Sequence, residues 1–532
     1  MHRETIVFWL LLATAVLAVA AKRLRLPYPI AFVIGGIVLA LVPGLPDVSL
    51  DANLVFLIFL PPLLFGNAWT TDWREFRANI GPIGLLATGC VLFTTAAVAY
   101  VAHYWIGLPI AAAFVLGAIV SPPDAVATEA VAEDLSLPRR IVTILSGESL
   151  INDASALVIY RFAIVAVVTG AFSWAGAVVQ FFYVSIVGIG MGLLVGWIFV
   201  RAQEFLNDKG LADELIDTTL TLIAPFVSYL PAEAVHASGV LATVASGFYI
   251  SRRAPVILSS DARIAASSVW NLLFFVLNGA VFILIGLELR DILARLTAYP
   301  LALLLLWGFG ISVLVIALRF AWIFPAAYLR RAILRVVFRR SVEGAPWQWT
   351  FVLSWAGMRG IVSLAAALAL PQVTGNGDPF PGRDLILFLS FCVIAVTLIG
   401  QGLTLPWLIE ALRVTERDQS VRMETEARIF ALTAARRHIA TLEPTFQSVQ
   451  QWEVAGRLYA AYDQRIAHFE AHLDGIRDHE QSASVRIEHE LDHEAVAAER
   501  SALLALRREG KITDEIYRRL EWEVDLAESR LK

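Results

Sequence analysis

Residues 141–169 read IVTILSGESLINDASALVIYRFAIVAVVT. A run of this length spans a bilayer core of about 30 Å as a helix rising 1.5 Å per residue. Yet it carries Glu148, Asn152, Asp153 and Arg161. A charge at the bilayer centre costs about 2.5–3.5 kcal/mol on insertion scales, so it persists where it faces a cavity or a partner. On a helix, Ser149, Asn152 and Asp153 share one face at spacings of three and four, with Glu148 beside it. That face offers a carboxylate, an amide and a hydroxyl, all oxygen ligands suited to a hard cation such as Na⁺. No Cys or His stands near, which disfavours a transition metal.

The rest of the chain places this segment in a membrane. Of 532 residues, 58% are apolar and 17% charged, against roughly 25% charged in soluble domains. Thirteen apolar runs lie near 5–21, 28–44, 51–66, 81–102, 108–130, 141–169, 175–200, 214–230, 235–250, 266–288, 298–325, 348–371 and 384–411. The fold class is therefore an all-α polytopic membrane protein with about thirteen spans. With the N-terminus outside, the inner loops hold 17 lysines and arginines and the outer segments 4, as the positive-inside rule requires. The first run, with only Arg3 before it and its basic cluster after it, reads as a span rather than a cleaved leader. Cys90 and Cys392 both lie in apolar runs and form no disulfide framework. After residue 412 the composition turns polar, with 18 Lys/Arg and 23 Asp/Glu. The reading is a membrane domain over 1–412 and a helical cytoplasmic tail over 413–532. There is no basic face, so nucleic acid is not an expected partner.

Two runs contain helix breakers. The fifth reads GAIVSPPDA over 117–125, where Pro122 and Pro123 remove two amide donors. The twelfth reads WAGMRGIVS over 355–363, where Gly357 and Gly360 bracket Arg359. Irregular backbone at membrane depth must line a cavity or pack within protein, and transporters built from inverted repeats place such breaks at matching positions in two halves. A six-plus-one-plus-six division makes these two spans correspond, as unwound crossing helices, with an acid at one break and a base at the other. Two neighbouring, partly desolvated carboxylates, Asp124 and Asp153, resist being ionised together. One carboxylate then holds either a proton or a cation, and loading one expels the other. Asp153 is the expected exchanging group, with Asp124 stabilising the cation. Arg359 needs a counter-ion, for which Glu148 is the candidate, as a structural pair. Thr128 is within reach of the site as an additional ligand. Arg161 and Arg319 are expected to pair with buried acids or to line a funnel.

These stretches resemble the monovalent cation:proton antiporter family, which includes prokaryotic sodium/proton antiporters and animal sodium/proton exchangers. The matching residues are FLPPLLF over 59–65, SPPDAVA over 121–127, GESLINDA over 147–154 and GMRG over 357–360. The resemblance covers about residues 5–412 and implies a core domain moving against a dimerisation domain, a homodimer, and exchange of Na⁺ (or Li⁺ or K⁺) for H⁺. It implies that Asp153 is the essential aspartate of an Asn152-Asp153 pair, Asp124 its partner acid, Ser149 an ion ligand, and Glu148–Arg359 a buried ion pair. An Asn-Asp pair implies electroneutral one-for-one exchange. Two positions depart from the pattern. Gly66-Asn67-Ala68 stands where many members carry an acid, so that carboxylate ligand is either missing or replaced by Asn67, and Pro123 stands where several have Thr.

The expected function is secondary active exchange of Na⁺ or Li⁺ for H⁺ across a bacterial inner membrane, without a cofactor. A K⁺/H⁺ antiporter and an uncoupled ion channel are the alternatives. In the tail, His468 and His472 are four apart, and His489-Glu490-Leu491-Asp492-His493 fits the short zinc-protease pattern. A metallopeptidase would need a third ligand that is not evident, and a solvated, regulatory helical tail is the default reading.

Overall fold

The computed structural model describes residues 3–42, 55–124, 128, 137–170, 174–296, 299–336, 346–374, 377–414, 417–475 and 482–509, together with 511, 516–517, 519–521, 524–525 and 528. They divide into two compact units, 1–415 and 416–532. Among the described residues both are helical, with one isolated bridge between Val373 and Pro379.

The first unit begins with α1 (Arg3–Leu24) and α2 (Tyr28–Ala40). There follow α3 (Leu60–Thr70), short α4 (Trp73–Ala78), α5 (Ile80–Ile106) and α6 (Ile110–Val120). Helix α7 (Arg139–Thr169) contains the polar segment. Then come α8 (Trp174–Asp208), α9 (Glu214–Ala234), α10 (Gly239–Ile257), α11 (Ser260–Arg295) and α12 (Leu301–Val336). The twelfth apolar run is split into α13 (Trp347–Trp355) and α14 (Ile361–Leu368), and α15 (Arg383–Leu412) closes the unit. Seven of the described helices are long and apolar enough to cross a membrane, and Tyr28–Ala40, Leu57–Thr70 and Ile110–Val120 are shorter apolar helices. Local chemistry sets the ends. Asp213, Ser238 and Ser259 accept from backbone N–H groups at the starts of α9, α10 and α11. Gly107 and Gly170 take the left-handed conformation that ends α5 and α7.

In lipid, burial of apolar side chains does not by itself drive helices together, so close backbone approach at small residues matters. Helices α2 and α11 meet there: a side chain at Gly36 would strike the Ile283 carbonyl, and one at Gly286 would strike the backbone of Val33 and Ile37. Helices α5 and α6 do the same at Gly117, against the Thr95 carbonyl. A large apolar core runs through α2, α5, α6, α11, α12, α14 and α15, with residues such as Phe32, Leu116, Phe282, Leu364 and Phe388 buried. A second cluster packs Leu150 and Ala154 of α7 against Val240, Leu241, Val244 and Phe248 of α10. Further along α7, Arg161 Nη2 pairs with Glu233 Oε2 of α9 at 2.9 Å, partly exposed.

A buried ion pair ties α7 to α12, and it differs from the expected one. Glu148 is held bidentately by Arg319, with Nη1–Oε1 2.6 Å and Nη2–Oε2 2.7 Å, and not by Arg359. Arg319 also donates from Nε to the Leu353 carbonyl at 3.2 Å. The reason lies in what surrounds each guanidinium. Arg319 sits on an intact helix whose carbonyls are already used, so it seeks a carboxylate. Arg359 sits in a break whose freed carbonyls claim it, as described below.

The second unit consists of α16 (Arg417–Leu442), α17 (Val449–Gly475) and α18 (Ser482–Arg508). Arg428 lies over the Phe469 ring at 5.5 Å, and Arg436 reaches Asp463 and the Tyr459 ring. His468 is exposed, whereas the side chains of His472, His489 and His493 lie outside the described residues.

Two outcomes are expected for the purified protein. Gly286→Val should lower its thermal stability, since overpacking costs about 1–3 kcal/mol, while Gly190→Val, which faces open space, should leave the melting curve in place. Arg319→Met alone should be severe, because an orphaned buried carboxylate costs about 3–5 kcal/mol. Adding Glu148→Gln to it should recover most of the loss.

Candidate functional site

Helix α6 stops at Val120 because Pro122 and Pro123 cannot donate the bonds that would continue it. Residues 121–124 are non-helical, as are 356–360 between α13 and α14. Each interruption strips carbonyls and amides of their helical partners, and no water is available in hydrocarbon to replace them. The two interruptions satisfy each other. Asp124 N donates to the Met358 carbonyl at 2.7 Å. Arg359 donates from Nε to the Val120 carbonyl at 3.1 Å and from Nη1 to the Gly357 carbonyl. Its own backbone N–H donates to Thr397 Oγ1 of α15 at 3.1 Å. Arg359 is 1% exposed, so its charge is solvated by carbonyl dipoles at the ends of broken helices.

The glycines around it are steric necessities. A side chain at Gly357 would run into Arg319, and one at Gly360 would fall on the Asp124 carboxylate. That carboxylate also accepts from Ile361 N, at the start of α14, at 3.4 Å.

Helix α7 brings the remaining groups. Asn152 donates from Nδ2 to the Pro123 carbonyl at 2.8 Å, which stitches α7 to the first break. Its Oδ1 is buried with no hydrogen-bond partner. Asp153 is buried, feels the charge of Asp124, and no hydrogen bond is recorded to its carboxylate among the described residues. Ser149 lies one turn earlier on the buried side of α7. Asp124, Asn152 and Asp153 are thus brought together around the breaks.

Two expected ligands stand differently. The Thr128 hydroxyl bridges the breaks, within 3.2 Å of the Asp124 carbonyl and 3.3 Å of the Ala356 carbonyl. Its first visible duty is to fasten one interruption to the other. Asn67 lies on α3, where its backbone carbonyl accepts from Thr70 and Thr71. No hydrogen bond joins its side chain to Asp124 or Asp153 among the described residues. Residue 129 lies outside the described residues. Sequence reasoning did not single out Thr397, whose threonine in an apolar run carries no signal of its own. Arg319 did announce itself, as a charge inside an apolar run.

Comparison with known proteins gives the family. The sequence family described as "Sodium/hydrogen exchanger, transmembrane" matches residues 9–411. The chain is 32% identical over 550 residues to the uncharacterized Na(+)/H(+) exchanger YjcE of Escherichia coli K12, covering 99% of both. It is also 32% identical over 500 residues to the sodium, potassium, lithium and rubidium/H(+) antiporter of Bacillus subtilis 168, covering 92% of this chain and 72% of that one. Among solved structures, the sodium proton antiporter MjNhaP1 of Methanocaldococcus jannaschii matches with a TM-score of 0.57 at 18% identity, over 77% of this chain and 98% of that one. The broken helices, the buried carboxylates beside them and the family match over 9–411 lead to one conclusion: the chain belongs to the transmembrane sodium/hydrogen exchanger family, the monovalent cation:proton antiporters.

Proposed function

We propose that the protein exchanges Na⁺ or Li⁺ for H⁺ by competition of cation and proton for Asp153, with Asp124 assisting. The observation that carries this reading is the buried Asn152 Oδ1, which has no hydrogen-bond partner, on the residue next to the buried Asp153. An oxygen acceptor left unused in a buried place is costly. A cation would take Asp153, Asn152 Oδ1 and Asp124 as ligands, with Ser149 the next oxygen along α7. Thr128 and Asn67 stand further back, as supports or as ligands in another state of the site.

Charge bookkeeping follows from the residue types. Asp153 is neutralised in turn by one monovalent cation or one proton, Asn152 stays neutral, and Asp124 is anchored to the backbone of α14. Each loaded form therefore has the same charge, and the exchange is electroneutral. Glu148–Arg319 and Arg359 serve as scaffold. The reading includes thirteen spans in an inverted repeat, an N-terminus outside, a cytoplasmic tail over 413–532 and a place in a bacterial inner membrane. It also includes a homodimer. Helix α8 supports that last element, since only 17% of its most apolar stretch is buried within the chain. A second reading, K⁺/H⁺ exchange, is favoured by the Bacillus subtilis relative, an antiporter of sodium, potassium, lithium and rubidium.

Proton flux into proteoliposomes, followed by dye dequenching with Na⁺, Li⁺ and K⁺ in separate runs, distinguishes these readings. Na⁺ and Li⁺ should drive flux that a membrane potential does not alter. Flux driven by K⁺ alone would transfer the assignment to potassium. Asp153→Asn should bring exchange to the level of empty liposomes; a variant still exchanging at the wild-type rate removes Asp153 from the mechanism. Asp124→Asn should raise the half-saturating Na⁺ concentration about tenfold, equivalent to about 1.4 kcal/mol. Because proton and cation compete for one deprotonated group, half-saturation should rise with acidity, towards about tenfold per pH unit. A half-saturation indifferent to pH would refute competition.

A further inference from the structure

Away from the breaks, α8 and α9 bury a second carboxylate. Asp217, in the first turn of α9, is 2% exposed, and Gln203 of α8 is 0% exposed. Gln203 Nε2 donates to Asp217 Oδ1 at 2.5 Å. No lysine or arginine pairs with Asp217 among the described residues. The other end of the same amide, Gln203 Oε1, is buried and has no hydrogen-bond partner. The hydroxyl of Thr218, the next residue, is likewise buried without a partner. One turn on, Thr221 Oγ1 is occupied, accepting from Trp270 Nε1 at 3.1 Å and donating to the Thr218 carbonyl.

This arrangement gathers negative potential without a counter-ion. A carboxylate and an amide oxygen are held together by a single short bond, in a place closed to bulk water. A buried charge needs a partner, and an amide cannot supply one. Rotating the amide would only exchange an unpaired oxygen for an unpaired nitrogen. A small hard cation resolves both deficits at once, taking the carboxylate and Gln203 Oε1 as oxygen ligands. A divalent or transition metal is a poor match: one carboxylate is present, and among the described residues no group of three His, Cys, Asp or Glu side chains converges.

We infer that Asp217 and Gln203 form a second binding site for a monovalent alkali cation, at the junction of α8 and α9, separate from the exchange site. It uses no residue of α6, α7, α13 or α14. Its occupant is a resident or regulatory ion rather than cargo, and the proposal is independent of which residue exchanges protons.

The test uses the full chain carrying Asp124→Asn and Asp153→Asn, so that the exchange site is disabled. Thermal unfolding is followed as NaCl replaces choline chloride at constant ionic strength. A ligand that binds only the folded state raises the melting temperature in a concentration-dependent way. A Na⁺-specific rise is expected in this background, absent when Asp217→Asn is added and weakened by Gln203→Leu. Equilibrium binding of radioactive sodium should agree, with two ions per wild-type chain, one in the background and none after Asp217→Asn. If Asp217→Asn does not fold, Gln203→Leu carries the comparison alone. No Na⁺-specific rise in the background, or one that survives both substitutions, overturns the proposal.

Discussion

The structure depends on how backbone polar groups are satisfied where two helices stop inside an apolar medium. Hydrocarbon offers no hydrogen bonds, so every amide and carbonyl freed at residues 121–124 and 356–360 must find protein. They find each other: Asp124 N meets the Met358 carbonyl, and Arg359 serves the Val120 and Gly357 carbonyls. Each break would be intolerable alone. Together they form a closed polar knot, and that knot is what allows carboxylates to sit at membrane depth.

From this constraint the electrostatics follow. Arg359 donates to the Val120 and Gly357 carbonyls, while the bidentate partner of Glu148 is Arg319. Glu148 is committed to Arg319 and contributes an internally balanced pair. Asp124 is tied by its backbone N–H to the Met358 carbonyl and by its carboxylate to Ile361 N, and Asp153 is buried on the neighbouring α7. The glycines at 357 and 360 belong to the same logic, since a methyl group at either would displace a guanidinium or a carboxylate.

Much of this was legible in the sequence. The apolar runs announced the helices, Pro122-Pro123 and Gly357–Gly360 announced the breaks, and the charges in 141–169 announced the polar face of α7. What the sequence could not fix was partner choice. Glu148 and Arg359 were a plausible pair because both are buried charges in a resembling motif. Which arginine wins depends on whether a helix at that level is intact, and that is decided by three-dimensional placement. Thr397 and the Pro123 carbonyl stayed hidden for a related reason: a hydroxyl or a backbone oxygen carries no pattern that distinguishes a crucial acceptor from an incidental one. The end of α6 at Val120 falls at the break that Pro122-Pro123 predict.

The seam between α7 and α10 has a mechanical consequence. Asp153 is carried by a helix that is stitched to the breaks through Asn152 and, from Tyr160, to the Ala366 carbonyl of α14 at 2.7 Å. Against α10, by contrast, it rests on greasy side chains, which grip without direction and can trade neighbours at little cost. Helix α7 is thus fastened to the breaks by directional bonds and to α10 by undirected ones, and the Arg161–Glu233 bridge to α9 adds one partly exposed directional contact.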